Sequence, residues 1–142
     1  MAFQEKIAWV VVLAVVMVYG WYFLSVAQEL GAASVHDIDY QGRMLATVVA
    51  LVVLIVAGLV TLMVVTRDFD DQTDERDRAI DRSGQYVGGI VLAVGTLLGL
   101  GLTLLEYEHF WIANMLLLGL VLAEVAGGLT RIALYRRGMP SW

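Results

Sequence analysis

The sequence predicts an all-α membrane protein, a bundle of four transmembrane helices with both ends of the chain in the cytoplasm. Three observations support this prediction: four long apolar segments, a one-sided distribution of basic residues, and short connections between the segments. A bilayer core about 30 Å thick needs about 20 helical residues to cross it. The 142 residues are therefore predicted to form a single integral membrane domain.

The four spans follow one another with little chain between them. We predict them at about 7–27, 44–66, 84–105 and 110–130. The first three contain no charged residue, and the fourth contains one, Glu124. The first span is longer than the apolar region of a signal peptide, so we expect it to be a retained helix.

The basic residues predict the orientation. Lys6 precedes the first span, four arginines lie in the loop 67–83, and three more, Arg131, Arg136 and Arg137, end the chain. Only Arg43 falls on the other side. The positive-inside rule then places both termini and loop 67–83 in the cytoplasm, as expected for a multi-pass protein of a bacterial inner membrane.

Composition excludes several classes of site. Cysteine is absent, which excludes iron–sulfur clusters and thiolate zinc sites. The two histidines, His36 and His109, lie outside the spans, which argues against a haem held between helices. We therefore expect no cofactor. The sequence also contains no pairing of a nucleophile with a base, so we do not expect an enzyme.

Small residues recur every four positions in the last two spans. Such spacing lets helix backbones approach closely inside lipid, where water does not drive helices together. The predicted packing positions are Gly84, Gly88, Gly95, Gly99, Gly119, Ala123 and Gly127. Two interpretations remain open: packing within one four-helix bundle, or association into a homo-oligomer. The second span, rich in valine and leucine, is expected to face lipid most.

Loop 67–83 mixes seven carboxylates with four guanidiniums. A helix starting near Asp74 is predicted to run into the third span, with Thr73 as its N-cap. The loop is either a solvated helical extension or a docking surface for a cytoplasmic partner; its acidic residues lack the spacing of a calcium loop. The candidate docking residues, including two in the tail, are Asp74, Glu75, Arg76, Arg78, Ile80, Arg82, Arg136 and Arg137.

Glu124 is the one ionisable residue well inside a span. It lies about 21 Å along the helix from Phe110, in the inner third of the bilayer. Intramembrane carboxylates face a cavity or a partner because their burial in lipid is costly. Three interpretations are open: a hydrogen bond to Thr61 or Thr96, a titrating group for proton-coupled transport, and a subunit contact. Arg131 shares its face and either leans back toward Glu124 or reaches the headgroups.

A polar cluster is expected on the outer side. If the two outer connections touch, His36, Glu106 and His109 are weak candidates for a transition-metal site, whereas a hydrated polar rim is the favoured interpretation. Asn114, just inside the fourth span, is expected to bond another helix.

Four short strings resemble a family of small uncharacterised bacterial four-helix membrane proteins. They are Phe3-Gln4-Glu5-Lys6, Asp74-Glu75-Arg76-Asp77, His109-Phe110-Trp111-Ile112-Ala113-Asn114 and Tyr135-Arg136-Arg137-Gly138. The resemblance covers the whole chain and implies no activity or catalytic residues. Members of that family are paired in the genome with a small helix-turn-helix regulator, which implies a membrane protein that sequesters or signals to a transcription factor.

The sequence thus favours a non-enzymatic regulatory or interaction protein that binds a cytoplasmic partner through loop 67–83 and the tail, without contacting nucleic acid itself. Two alternatives stay open. One is a small proton-linked transporter or channel that uses Glu124. The other is an accessory subunit of a larger membrane complex.

Overall fold

The computed structural model describes residues 3–32, 34–66 and 75–137. They form four long helices, α1 (Phe3–Leu30), α2 (Tyr40–Thr66), α3 (Glu75–Leu104) and α4 (His109–Arg137), and a short 3-10 turn at Val35–Asp37. All four helices are long and apolar enough to cross a membrane. The all-helical, four-span prediction is confirmed at this level.

The helices pack antiparallel in the order α2, α1, α4, α3. The α3–α4 contact is by far the most extensive, and α1 contacts α4 and α2 to a similar, smaller extent. We call the end holding the start of α1 and the last turn of α4 the terminal end, and the opposite one the loop end. The expectation for the second span is confirmed, because no residue of its most apolar window is buried.

Glycine lets the backbones of α3 and α4 touch. A Cβ atom at Gly95 would lie 2.6 Å from the Cα atom of Gly119, and one at Gly88 would lie 3.0 Å from the carbonyl oxygen of Ala123. All seven predicted packing positions are buried. They face each other inside one chain, which supports the interpretation as packing within the bundle and leaves no free glycine ridge along this seam for a homo-oligomer.

The middle of the molecule is organised around α1. Its Tyr19 and Val15 are almost fully buried and pack with Val121 of α4, while Val12 contacts Gly128. Tyr22 is completely buried. Its hydroxyl donates to the Oδ1 atom of Asn114 at 3.0 Å, so the expectation that Asn114 bonds another helix is confirmed.

The turn between α3 and α4 is tight because of one left-handed residue. Glu106 has φ = 56°. Its amide donates to the carbonyl of Thr103 at 3.1 Å, and the Tyr107 amide donates to that of Leu102 at 3.0 Å. This pair of hydrogen bonds defines a Schellman C-cap, in which glycine usually occupies the position that Glu106 holds here.

Helix α3 is unbroken from Glu75 to Leu104, so the charged segment does run into the third span as one helix. The predicted cap at Thr73 and the docking candidate Asp74 lie outside the described residues.

Candidate functional site

Glu124 lies on the surface of the four-helix assembly. Its side chain is exposed beside a shallow groove of about 240 Å³ that follows the α3–α4 seam toward the terminal end. The groove is lined by Gly84, Gln85, Gly88, Gly89, Leu92, Ala123, Glu124, Gly127 and Arg131. The helix backbones are close at the groove, since a Cβ atom at Gly127 would lie 2.9 Å from the carbonyl oxygen of Gly84. The carboxylate therefore faces outward, away from the helix contacts.

The predicted hydrogen bond between Glu124 and Thr61 or Thr96 does not form. The hydroxyl of Thr61 donates to the carbonyl of Ala57 at 2.7 Å, and that of Thr96 donates to the carbonyl of Leu92 at 2.8 Å. Both hydroxyls thus donate their hydrogen bond within their own helix, as threonine often does in apolar surroundings. Among the described residues, Glu124 has no hydrogen-bond or ion-pair partner.

Arg131 turns to α3 instead of to Glu124. Its Nε atom lies 2.9 Å from the Oδ1 atom of Asp81, and its side chain crosses Gly84, where a Cβ atom would lie 2.5 Å from the Arg131 Cγ atom. The Nε–H is not aimed at the carboxylate, so the contact is an ion pair without a well-formed hydrogen bond. Arg131 therefore pairs with Asp81 and not with Glu124, and the alternative that it reaches the headgroups stays a prediction.

Three further polar contacts join helices at the terminal end. The Tyr135 hydroxyl donates to Asp77 Oδ1 at 3.1 Å. The Arg136 Nε–H donates to Glu5 Oε1 at 3.3 Å, and Glu5 is only 6% exposed. The Arg136 guanidinium also lies 5.4 Å from the centre of the Trp9 ring, within the range of a cation–π contact. These contacts tie α4 to both of its neighbours.

The predicted docking residues that the structure describes differ in their surroundings. Ile80 is fully buried, so it serves packing, and the suggestion that it docks a partner is wrong. Arg136 is already engaged with Glu5 and Trp9. The remaining described arginines of the set, Arg76, Arg78, Arg82 and Arg137, are exposed and form no ion pair with another described residue.

At the loop end the two connections do touch. The Nε2 atom of His36 lies 3.5 Å from Glu108 Oε1, an attractive pair only when the imidazole is protonated. A pocket of about 380 Å³ beside them is also lined by Asp39, Gln41 and His109. Glu106 lies in a separate pocket with Tyr107 and Trp111. No three acidic or histidine residues of the described chain come together as metal ligands, so the set His36, Glu106 and His109 is not assembled.

Sequence reasoning missed the contacts that use residues far apart in the chain. Glu5 with Arg136 and Asp77 with Tyr135 are separated by 131 and 58 positions. A hint existed, because all four residues fall within a few positions of predicted span boundaries on the same side. It also missed an apolar groove between α1 and α2, which no charge pattern marks.

Comparisons with known proteins identify no relative: no family model, curated protein or solved structure matches this chain.

Proposed function

We propose that this protein is a non-enzymatic integral membrane protein that acts by binding another protein along α3 and α4 at the terminal end. The observation that favours this function most is Glu124, an exposed carboxylate in an otherwise apolar span with no partner among the described residues. An unpaired carboxylate that is exposed to lipid costs free energy. A partner helix that supplies a hydrogen-bond donor or a cation removes that cost.

The exposed arginines of α3 also support a binding surface for a protein partner. Arg78 and Arg82 are exposed and lie about two turns and one turn before Gln85, which lines the groove, so they share that face of α3. The positive-inside rule places this end in the cytoplasm. A partner anchored at the arginines can therefore extend a helix into the bilayer along the groove, and the helix-turn-helix regulator that the resemblance implies is the first soluble partner to test.

The second candidate function is that of an accessory subunit in a larger membrane complex. The Glu124 carboxylate favours it if the partner lies wholly within the membrane. Proton-linked transport by a single copy is less well supported. The α2–α1–α4–α3 order leaves Glu124 on the outer surface of the assembly, whereas a coupling group must line a pathway.

The first experiment is gentle detergent extraction from the native membrane, followed by mass measurement of what copurifies. We compare the wild type with Glu124→Ala, and we use Leu122→Ala, another exposed position of α4 that does not line the groove, as the matched control. Loss of a membrane partner only in Glu124→Ala supports an intramembrane contact. Identical copurification from all three proteins removes Glu124 from the proposal.

A second set of variants tests the arginines. Reversing the charge of Arg76, Arg78 and Arg82 is expected to abolish capture of a soluble partner, while reversing Glu106 and Glu108 at the loop end leaves it intact. Retained capture by the arginine variant contradicts the proposed docking surface. Flux of protons in liposomes, lost in Glu124→Gln, would instead favour transport.

A further inference from the structure

The second groove of the molecule lies between α1 and α2. It measures about 460 Å³ and is lined by Met17, Val18, Trp21, Arg43, Ala46, Thr47, Ala50 and Leu54. The lining is apolar except for Arg43 and Thr47, and the Thr47 hydroxyl donates to the Arg43 carbonyl at 2.6 Å. A concave, mostly apolar site of this volume with a polar group at one end is typical of a small-molecule site.

The groove lies between two contacts of α1 with α2. Toward the terminal end, Gly58 meets the Val10 side chain, and toward the loop end Arg43 bonds α1. Between these contacts α2 presents Ala46 and Ala50, whose small side chains are exposed and leave the space open. In a bilayer such a space faces hydrocarbon.

The depth of the groove matches one leaflet. Eleven residues separate Arg43 from Leu54, which is about 16 Å of helix. Half of a hydrocarbon core of about 30 Å is about 15 Å. The groove thus reaches from the edge of the apolar span, where the exposed Trp21 also lies, to about the middle of the bilayer.

The polar end of the groove offers two opposite charges side by side. The Arg43 Nη2 atom lies 2.8 Å from Glu29 Oε1, and the Nη1–H donates to Ser25 Oγ at 3.4 Å. A guanidinium has five N–H donors, so donors remain for a phosphate oxygen. The Glu29 side chain is 41% exposed and can accept from an ammonium group. Because the pair is formally neutral, it does not select an anionic headgroup by net charge.

We propose that this groove binds one zwitterionic phospholipid with a primary amine, of the phosphatidylethanolamine type. One acyl chain lies along Ala46 and Ala50, the phosphate accepts hydrogen bonds from Arg43, and the ammonium donates to Glu29. A choline headgroup cannot donate these hydrogen bonds, and a glycerol headgroup has no cation for Glu29.

The test is native mass spectrometry of the detergent-solubilised full chain with added phosphatidylethanolamine, phosphatidylcholine and phosphatidylglycerol of identical acyl chains. The wild type is expected to retain one phosphatidylethanolamine about tenfold more tightly than either other lipid, the size of one charge-assisted hydrogen bond. Ala50→Leu fills the groove and is expected to lower retention at least about tenfold. Ala93→Leu, the same change at an exposed position of α3, serves as the control and should match the wild type.

Glu29→Gln separates the headgroup contact from the chain contact. It is expected to abolish the preference over phosphatidylcholine while one lipid is still retained. Equal lipid retention by Ala50→Leu and Ala93→Leu overturns the groove as the site. Loss in Ala50→Leu with no headgroup preference in the wild type overturns the assignment of the amine and phosphate contacts.

Discussion

In the α3–α4 pair two helix backbones meet at glycine, whereas in the α1–α2 pair the close approach at Gly58 is to a side chain, and a groove opens between the two helices. The Gly95–Gly119 approach involves only backbone atoms, which have no rotamer to change. The Gly58–Val10 approach ends on a methyl group of a side chain. Inside lipid, close packing replaces the hydrophobic effect as the source of helix association. The difference teaches that this chain has one rigid seam and one adaptable seam.

The same contrast separates the proposed functions of the two seams. Along α3–α4 the glycines bring Glu124, Gly127 and Arg131 beside α3 and leave only a shallow groove. Along α1–α2 the larger space lets a flexible lipid chain enter. A protein partner needs a rigid surface that is formed before binding, while an acyl chain fits a space that can adjust.

The largest expected effect breaks the rigid seam. Gly95→Ala places a methyl group 2.6 Å from the Gly119 Cα atom, so α3 must move away from α4. We expect a loss of about 2 kcal/mol in the free energy of unfolding, typical of overpacking. The measurement is SDS titration in mixed micelles, followed by tryptophan fluorescence. Gly101→Ala, where a Cβ atom meets nothing within 4 Å, is the control and should lose nothing.

The next prediction concerns the contact between α1 and α4, which joins the α1–α2 pair to the α3–α4 pair. Tyr22→Phe removes the hydrogen bond between α1 and Asn114 of α4 without changing the packed ring. We expect the free energy of unfolding to fall by about 1 kcal/mol. The same micelle titration measures it, with Tyr86→Phe at a 71% exposed tyrosine as the control. Equal stability of the two variants would mean that packing alone joins α1 to α4.

A smaller effect of opposite sign, a gain in stability, is expected at the turn that joins the two helices of the rigid seam. Glu106→Gly removes a side chain from a left-handed residue, so the turn between α3 and α4 should be stabilised by about 0.5–1 kcal/mol. Glu106→Ala keeps the Cβ atom and therefore the conformational strain, and it should show no such gain. A gain of the same size in both variants would assign the effect to the lost charge.

The smallest effect is expected at the adaptable seam. Gly58→Ala brings a methyl group 2.8 Å from the Val10 Cγ1 atom, and the valine side chain can shift to relieve the contact. We expect the free energy of unfolding to change by less than about 0.5 kcal/mol, measured in the same titration. A loss as large as that of Gly95→Ala would contradict the distinction between the two seams.

The sequence by itself determined the helices and the tight seam. Apolar segments of this length have one low-energy conformation in a bilayer, because every backbone N–H and C=O must be hydrogen-bonded within the segment. The small residues at four-residue spacing, from Gly84 to Gly99 and from Gly119 to Gly127, predicted where backbones meet, since this period returns to the same face of a helix.

Only the tertiary structure decided which side chains meet across the molecule. Asp81 and Asp77 pair with Arg131 and Tyr135, and Glu124 faces outward, because the crossing of α3 and α4 sets the rotation of each helix about its axis. The sequence gives the faces of one helix but not their rotation relative to another. That rotation follows from packing of all four helices together, and it alone determines which carboxylate is paired and which is left for a partner.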